Sequence, residues 1–256
     1  MFITTVGNDY ICYELSGEPA AKPFLLLVHG AGGSHQDWPA ALRHLPDTAV
    51  IALDLPGHGC TTLPGRRAIS AYADDVEQFM ERLGLAQVVV AGHSMGGAIA
   101  QELAIRHSPQ VVGLVLVGTG ARLRVSSALL EMIATDFAAA VANVPRYAFA
   151  ANTPDERRRE YQERLIQNDP AVVYDDFIAC HAFDARQQLG QINVPALVIS
   201  GSEDVMTPPK YGRYLAEHIP RAQFTLVENA GHMLALEQPE RVTAVIQQFL
   251  SHFGLR

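Results

Sequence analysis

The chain has 256 residues, 48% of them hydrophobic and 18% charged, and 19 Lys and Arg against 27 Asp and Glu give a formal net charge of −8. That length fits one large domain, or one domain with an insertion, and buries a substantial core. An acidic balance with no basic stripe argues against nucleic acid or an anionic membrane as partner, and no apolar run approaches a membrane span.

The N-terminal stretch "FITTVGNDYICYEL" alternates apolar and polar residues around "GND", which predicts a β-hairpin. It lacks the basic start and continuous apolar stretch of a secretory signal, so the expectation is a soluble, cytoplasmic protein. The three cysteines, Cys12, Cys60 and Cys180, are odd in number and widely spaced. They form no CxxC pair and no zinc-ligand spacing, so neither a disulfide framework nor a structural metal is expected.

Short, almost wholly apolar runs follow: "PFLLLVHG" (23–30), "TAVIALDLPGHG" (48–59), "QVVVAGHS" (87–94), "VVGLVLVGTG" (111–120), "PALVISGSED" (195–204) and "QFTLVENAGH" (223–232). Each is too short for a helix and stops at glycine or a polar turn, as strands of a parallel sheet covered on both faces do. Between them lie helical periods: "AISAYADDVEQFMERLG", which stops at Gly84, "MGGAIAQELAIRHS" and "PERVTAVIQQFLSHF". Strands alternating with helices imply right-handed crossovers and a mostly parallel, doubly wound sheet. From Ala121 to Gly190 the rhythm breaks and helical segments dominate, including "SSALLEMIATDFAAAVANV" and "PDERRREYQERLIQ". The balanced "ERRRE" run reads as a solvated helix face. The division expected is a core of residues 1–120 and 191–256 with a helical cap over 121–190, above the sheet edge where ligands bind in open α/β folds.

Gly92-His93-Ser94-Met95-Gly96 matches G-x-S-x-G, with a strand before it and a helix after it. The spacing has a steric cause: on a strained strand-to-helix corner, side chains two residues to either side of the serine would collide. The corner lifts the Ser94 hydroxyl clear of the sheet. It also places the Met95 N–H at a helix N-terminus, where it can stabilise negative charge. Serine needs a base, and the base needs an orienting acid. His232 in "ENAGHM" follows the last strand, and "ISGSEDVMTP" supplies Asp204, with Glu203 as runner-up. The order Ser94, Asp204, His232 is that of the hydrolase fold rather than of the common proteases. The second oxyanion donor is assigned to the Ala31 N–H in "HGAGGSHQDW", with Gly32 as runner-up. His29 and His93 read as braces of the glycine turns. His58 in "DLPGHG" is set aside as base because no acid follows it in a suitable place. A phosphate cradle is disfavoured, since the glycines lack a following lysine and the G-x-G-x-x-G spacing.

Together "VHGAGGS", "DLPGHG", "AGHSMGG", "GSEDVMTPP" and "NAGHMLALEQPE" resemble the α/β-hydrolase family, in order and separation, across most of residues 24–250. The resemblance is to its small bacterial esterase, lactonase and carbon–carbon hydrolase branch, in which a helical cap follows the sixth strand. It implies Ser94 as nucleophile, His232 as general base and then acid, Asp204 as orienter, and an oxyanion hole of Ala31 and Met95. No metal or organic cofactor is implied. Aspartate-nucleophile relatives are excluded, because position 94 is serine. The activity expected is hydrolysis of carboxylic esters with small-to-medium acyl groups, under a cap whose Met132, Phe137, Tyr147, Phe149, Phe177 and Phe183 supply candidate pocket walls. Lactone hydrolysis, carbon–carbon cleavage and perhydrolysis use the same machinery. A ligand receptor with incidental hydrolysis is the rival of another class.

Overall fold

The computed structural model describes residues 1–6, 9–18 and 23–253. Strands β1 (Phe2–Val6) and β2 (Asp9–Ser16) pair antiparallel, Phe2 opposite Tyr13; the turn expected at Gly7 and Asn8 lies outside the described residues. β2 then pairs antiparallel with β4 (Val50–Leu53). Every further pairing is parallel: β3 (Phe24–Val28) with β4 and with β5 (Val88–His93), β5 with β6 (Val111–Val117), β6 with β7 (Ala196–Gly201), and β7 with β8 (Ala222–Val227). The eight strands lie in the order β1-β2-β4-β3-β5-β6-β7-β8.

The inner strands are apolar throughout because helices cover both faces. Side chains alternate between the faces. Leu26, Val28, Val90 and Leu116 pack with α2 (Ile69–Arg82), α3 (Met95–Ile105) and α8 (Pro209–His218). Leu25, Leu27, Ala91 and Val117 pack with α1 (Ala40–Arg43) and α10 (Pro239–Ser251). β8, at the sheet edge, is mostly half-buried rather than buried. α2 ends before Gly84, whose φ of +64° gives the left-handed turn that stops a helix. α3 is buried on nearly all sides rather than on one stripe.

Between β6 and β7 the chain forms α4 (Ser127–Thr135), α5 (Phe137–Ala148), α6 (Asp155–Leu165) and α7 (Pro170–Ala182). The stretch expected as one long helix is two. Asp136 ends α4 and caps α5, accepting from the Ala139 N–H. An isolated β-bridge joins Arg122 to Asp184, where this helical excursion leaves the sheet and returns. The "ERRRE" run is not simply solvated, since Arg157 donates to the Leu236 carbonyl and Arg158 to that of Ala150.

The cysteine expectation is corrected. Cys12 and Cys60 form a disulfide with their Cα atoms 5.7 Å apart, and Cys180 is buried and free. The two are 48 residues apart in sequence, but the chain leaving β4 runs back beside β2. Asp54 N–H donates to the Cys12 carbonyl and Thr62 N–H to that of Tyr10. Strand pairing creates that proximity, and cysteine spacing carries no trace of it. Among the described residues no helix is long and apolar enough to cross a membrane.

Candidate active site

Ser94 stands at the corner between β5 and α3 with φ of +51°, a backbone strained for any residue with a side chain. The flanking glycines are obligatory on steric grounds. A β-carbon on Gly92 would lie 2.1 Å from the Gly96 carbonyl oxygen, and one on Gly96 would lie 2.2 Å from the Val28 carbonyl oxygen. The corner is therefore pressed against the end of β3, which brings Ser94 beside the loop that follows that strand.

Asp204 and His232 sit in the loops after β7 and β8, both almost wholly buried. His232 Nδ1 lies 2.9 Å from Asp204 Oδ2. Asp204 Oδ1 accepts from the backbone N–H groups of Met206 and Thr207, and Oδ2 also accepts from the Thr207 hydroxyl at 2.7 Å. Burial pushes the Asp204 carboxyl up, but His232 and these donors outweigh it and hold the group below its ordinary value. A carboxylate so placed fixes the proton on Nδ1 and leaves Nε2 to accept. Glu203, the runner-up, takes no part in this arrangement. The His232 turn is clamped in its own right: Glu237, in α9 (Leu234–Glu237), accepts from the Gly231 and Ala150 N–H groups and from the Thr153 hydroxyl.

Ser94 and His232 share the wall of one cavity of about 210 Å³. Ser94 Oγ forms no hydrogen bond among the described residues, and its hydroxyl faces the cavity that His232 also lines. Gly30 and Ala31 line the same wall. Gly30 C=O accepts from the Gly33 N–H and from His29 Nδ1. Because a trans peptide points its N–H opposite its C=O, those bonds fix the direction of the Ala31 N–H. Gly32 N–H is committed to Asp176 Oδ2 at 2.8 Å, so it is not available as a donor.

The histidines divide by geometry. His29 donates from Nδ1 to Gly30 and accepts at Nε2 from the Leu55 N–H, which requires the neutral ring. Burial and the neighbouring His58 lower its pKa to about 4. His93 lies beside His232, and burial together with that neighbour lowers its pKa to about 3. His58 was set aside for want of an acid, and the structure supplies one from α7. Its Nε2 lies 2.8 Å from Asp176 Oδ2, and neither residue lines the cavity. The loop after β4 is tied to the loop after β3 by Asp54, whose Oδ1 accepts from His35 N–H and lies 2.9 Å from His35 Nδ1.

Opposite the polar wall the cavity is apolar, with Leu123, Ile133, Val141 and Leu165 among its lining. Of the six candidate wall residues only Phe137 and Phe177 line it. Phe149 stacks edge-on against Tyr161, Phe183 joins the core beneath, Met132 packs within the helical layer and Tyr147 is exposed. Arg124 reaches the rim, whereas Arg122 faces Asp184. Among the described residues no group of three His, Cys, Asp or Glu side chains is arranged to hold a metal ion.

Residues 25–245 match the alpha/beta hydrolase family. The chain belongs to it. This hydrolase is 29% identical to a pimeloyl-[acyl-carrier protein] methyl ester esterase of Neisseria meningitidis, over 93% of the chain and 97% of the relative. Its fold superimposes on an enol-lactonase from Burkholderia xenovorans LB400 with a TM-score of 0.87 and 27% identity, covering 97% and 99% of the two chains. A thermophilic esterase from Thermogutta terrifontis gives 0.86 and 28%, covering 97% and 96%.

Three groups at this hydrolase's site escaped the sequence reading. Thr207 follows Asp204 by three residues, a local spacing that a search for Asx-type turns could have found. Asp176 comes from α7, far from the loops it holds, and nothing in its local sequence marks it, whereas Glu237 closely follows His232 inside "NAGHMLALEQPE" and its grip on Gly231 and Ala150 emerges only in the folded turn.

Proposed function

We propose that this alpha/beta hydrolase cleaves carboxylic esters through an acyl-enzyme on Ser94, with the four helices after β6 acting as a cap over residues 121–190. The observation that carries this reading is the His232–Asp204 bond of 2.9 Å in the wall of a cavity that also presents Ser94 on its strained corner.

His232 Nε2 takes the Ser94 proton as Oγ attacks the acyl carbonyl, and Asp204 steadies the imidazolium. The tetrahedral oxyanion sits between the Ala31 and Met95 N–H groups. Ala31 is favoured over Gly32 because the Gly32 N–H is already engaged. His232 then protonates the leaving alkoxide, and water activated by the same ring releases the acid. The apolar wall suits a small-to-medium acyl or alcohol group, and nothing in this sequence of steps requires a metal or organic cofactor.

The test is hydrolysis of p-nitrophenyl esters from acetate to palmitate, with Ser94→Ala alongside. A Ser94-dependent rate highest on short or medium chains supports the reading. The likeness to an enol-lactonase makes lactones the second panel. A folded protein inert on esters but active on lactones transfers the assignment to lactone hydrolysis. Saturable ligand binding without turnover of either class transfers it to a receptor.

A further inference from the structure

The oxyanion loop is held from the helical layer above it. Asp176 on α7 is wholly buried, yet every interaction it makes reaches out of that layer. Its Oδ2 accepts from Gly32 N–H and lies against His58 Nε2, each at 2.8 Å, and its Oδ1 accepts from the Tyr72 hydroxyl of α2. The His58 ring has an acceptor at both nitrogens, the Pro56 carbonyl at Nδ1 and Asp176 at Nε2. The geometry therefore calls for the imidazolium, and His58 and Asp176 form a buried ion pair. A second group grips the same residue: Asn168, between α6 and α7, donates to the Gly32 carbonyl at 2.9 Å. Gly32 has φ of +63°, and a β-carbon there would lie 2.7 Å from Leu165 of α6. Both peptide units that follow Ala31 are thus oriented from the helical layer.

We propose that Asp176 is a positioning residue for the oxyanion hole, setting the Ala31 N–H through Gly32 so that docking of the cap and completion of the hole are one event. Neither Asp176 nor His58 lines the cavity, so both act through the loop and not on the substrate. The inference rests on the assignment of Ser94 and Ala31 above. Removing one side of a buried pair leaves the other uncompensated, and here the unpaired groups are His58, the Gly32 N–H and the Tyr72 hydroxyl. The loop then relaxes, and its donor moves away from the place where the oxyanion forms.

The experiment compares wild type, Asp176→Ala, Asp176→Asn and Asn168→Ala. It measures kcat and KM on p-nitrophenyl acetate and affinity for phenylboronic acid, whose tetrahedral serine adduct places an oxygen in the hole. For Asp176→Ala the expected result is a kcat lower by roughly 100-fold with KM changed little, and a parallel loss of boronate affinity. Asp176→Asn regains part of both, because its amide oxygen can face Gly32 and its NH2 the Tyr72 oxygen. Asn168→Ala shows the same pattern at about tenfold, and it decides the matter if Asp176→Ala does not fold. Folded variants with wild-type kcat and boronate affinity overturn the proposal, as does a fall in kcat with boronate affinity intact. If wild-type activity survives Ser94→Ala, the assignment of Ser94 itself fails, a result distinct from either.

Discussion

His93 holds His232 by its main chain: its Nε2 donates to the His232 carbonyl oxygen at 3.0 Å, and the two rings lie 4.8 Å apart. The residue just before Ser94 thereby fixes the turn that carries His232, the proposed base. We expect His93→Phe to keep the fold and ring packing while leaving that carbonyl unpaired, at a cost of about 1–3 kcal/mol. Under the proposed function, kcat on p-nitrophenyl acetate should fall by roughly tenfold. A thermal melt and steady-state kinetics on one preparation check both.

Acid stability has a sign set by the buried neutral histidines. His29 and His93 have folded pKa values of about 4 and about 3, below the ordinary value of 6.5. Between those limits the unfolded chain binds more protons, so stability rises with pH. Their contribution is complete above about 6.5 and is lost as pH falls toward 4 and then 3. His58 acts in the opposite sense. Burial pushes its pKa down, but the Asp176 charge and the hydrogen bonds to Asp176 and Pro56 together outweigh it and raise the pKa, so its contribution is full below the unfolded value and declines as pH rises through the folded one. Urea unfolding at pH 7, 5.5 and 4.5 should show falling stability, with a shallower slope in His93→Phe.

The Cys12–Cys60 bond ties β2 to the loop bearing His58 and closes a long segment, 48 residues in sequence. Chain-entropy reasoning gives such a closure about 4 kcal/mol, and measured values commonly run from about 2 to 4. Cys12→Ser, or reduction with dithiothreitol, should lower the unfolding free energy by that order. Thiol titration under denaturing conditions checks the starting state: one free thiol per chain is expected, Cys180.

Thr207 offers a milder change. Its hydroxyl donates to Asp204 and lies 3.2 Å from His232 Nδ1. Thr207→Val keeps the shape and removes one charge-assisted bond of about 1.5–3 kcal/mol. We expect kcat/KM to fall by about tenfold or more and the Tm to fall by about 3–12 °C.

The parallel sheet was legible because continuous apolar runs such as Phe24–Val28 and Val88–Gly92 have few uses other than strands buried on both faces. Gly92, Ser94 and Gly96 were legible because the corner they build is local. What stayed hidden depends on contacts across the chain. The division of α4 from α5 at Asp136 is a capping choice within an otherwise continuous apolar period. The Cys12–Cys60 bond follows from how β2 and β4 align. Asp176 meets Gly32 and His58 only once α7 has docked, and an aspartate inside "VVYDDFIAC" looks no different from its neighbour Asp175, which is half-buried and faces Arg67.

The bridge between Arg122 and Asp184 closes the helical excursion on itself where it meets the sheet. An insertion whose two ends already touch can be exchanged for another without moving β6 or β7, as a lens is changed on a fixed mount. The contact at Gly32 sets a condition on such a graft. On the proposed role of Asp176, a replacement insertion must bring its own acceptor for that amide, or the exchange alters turnover as well as substrate choice.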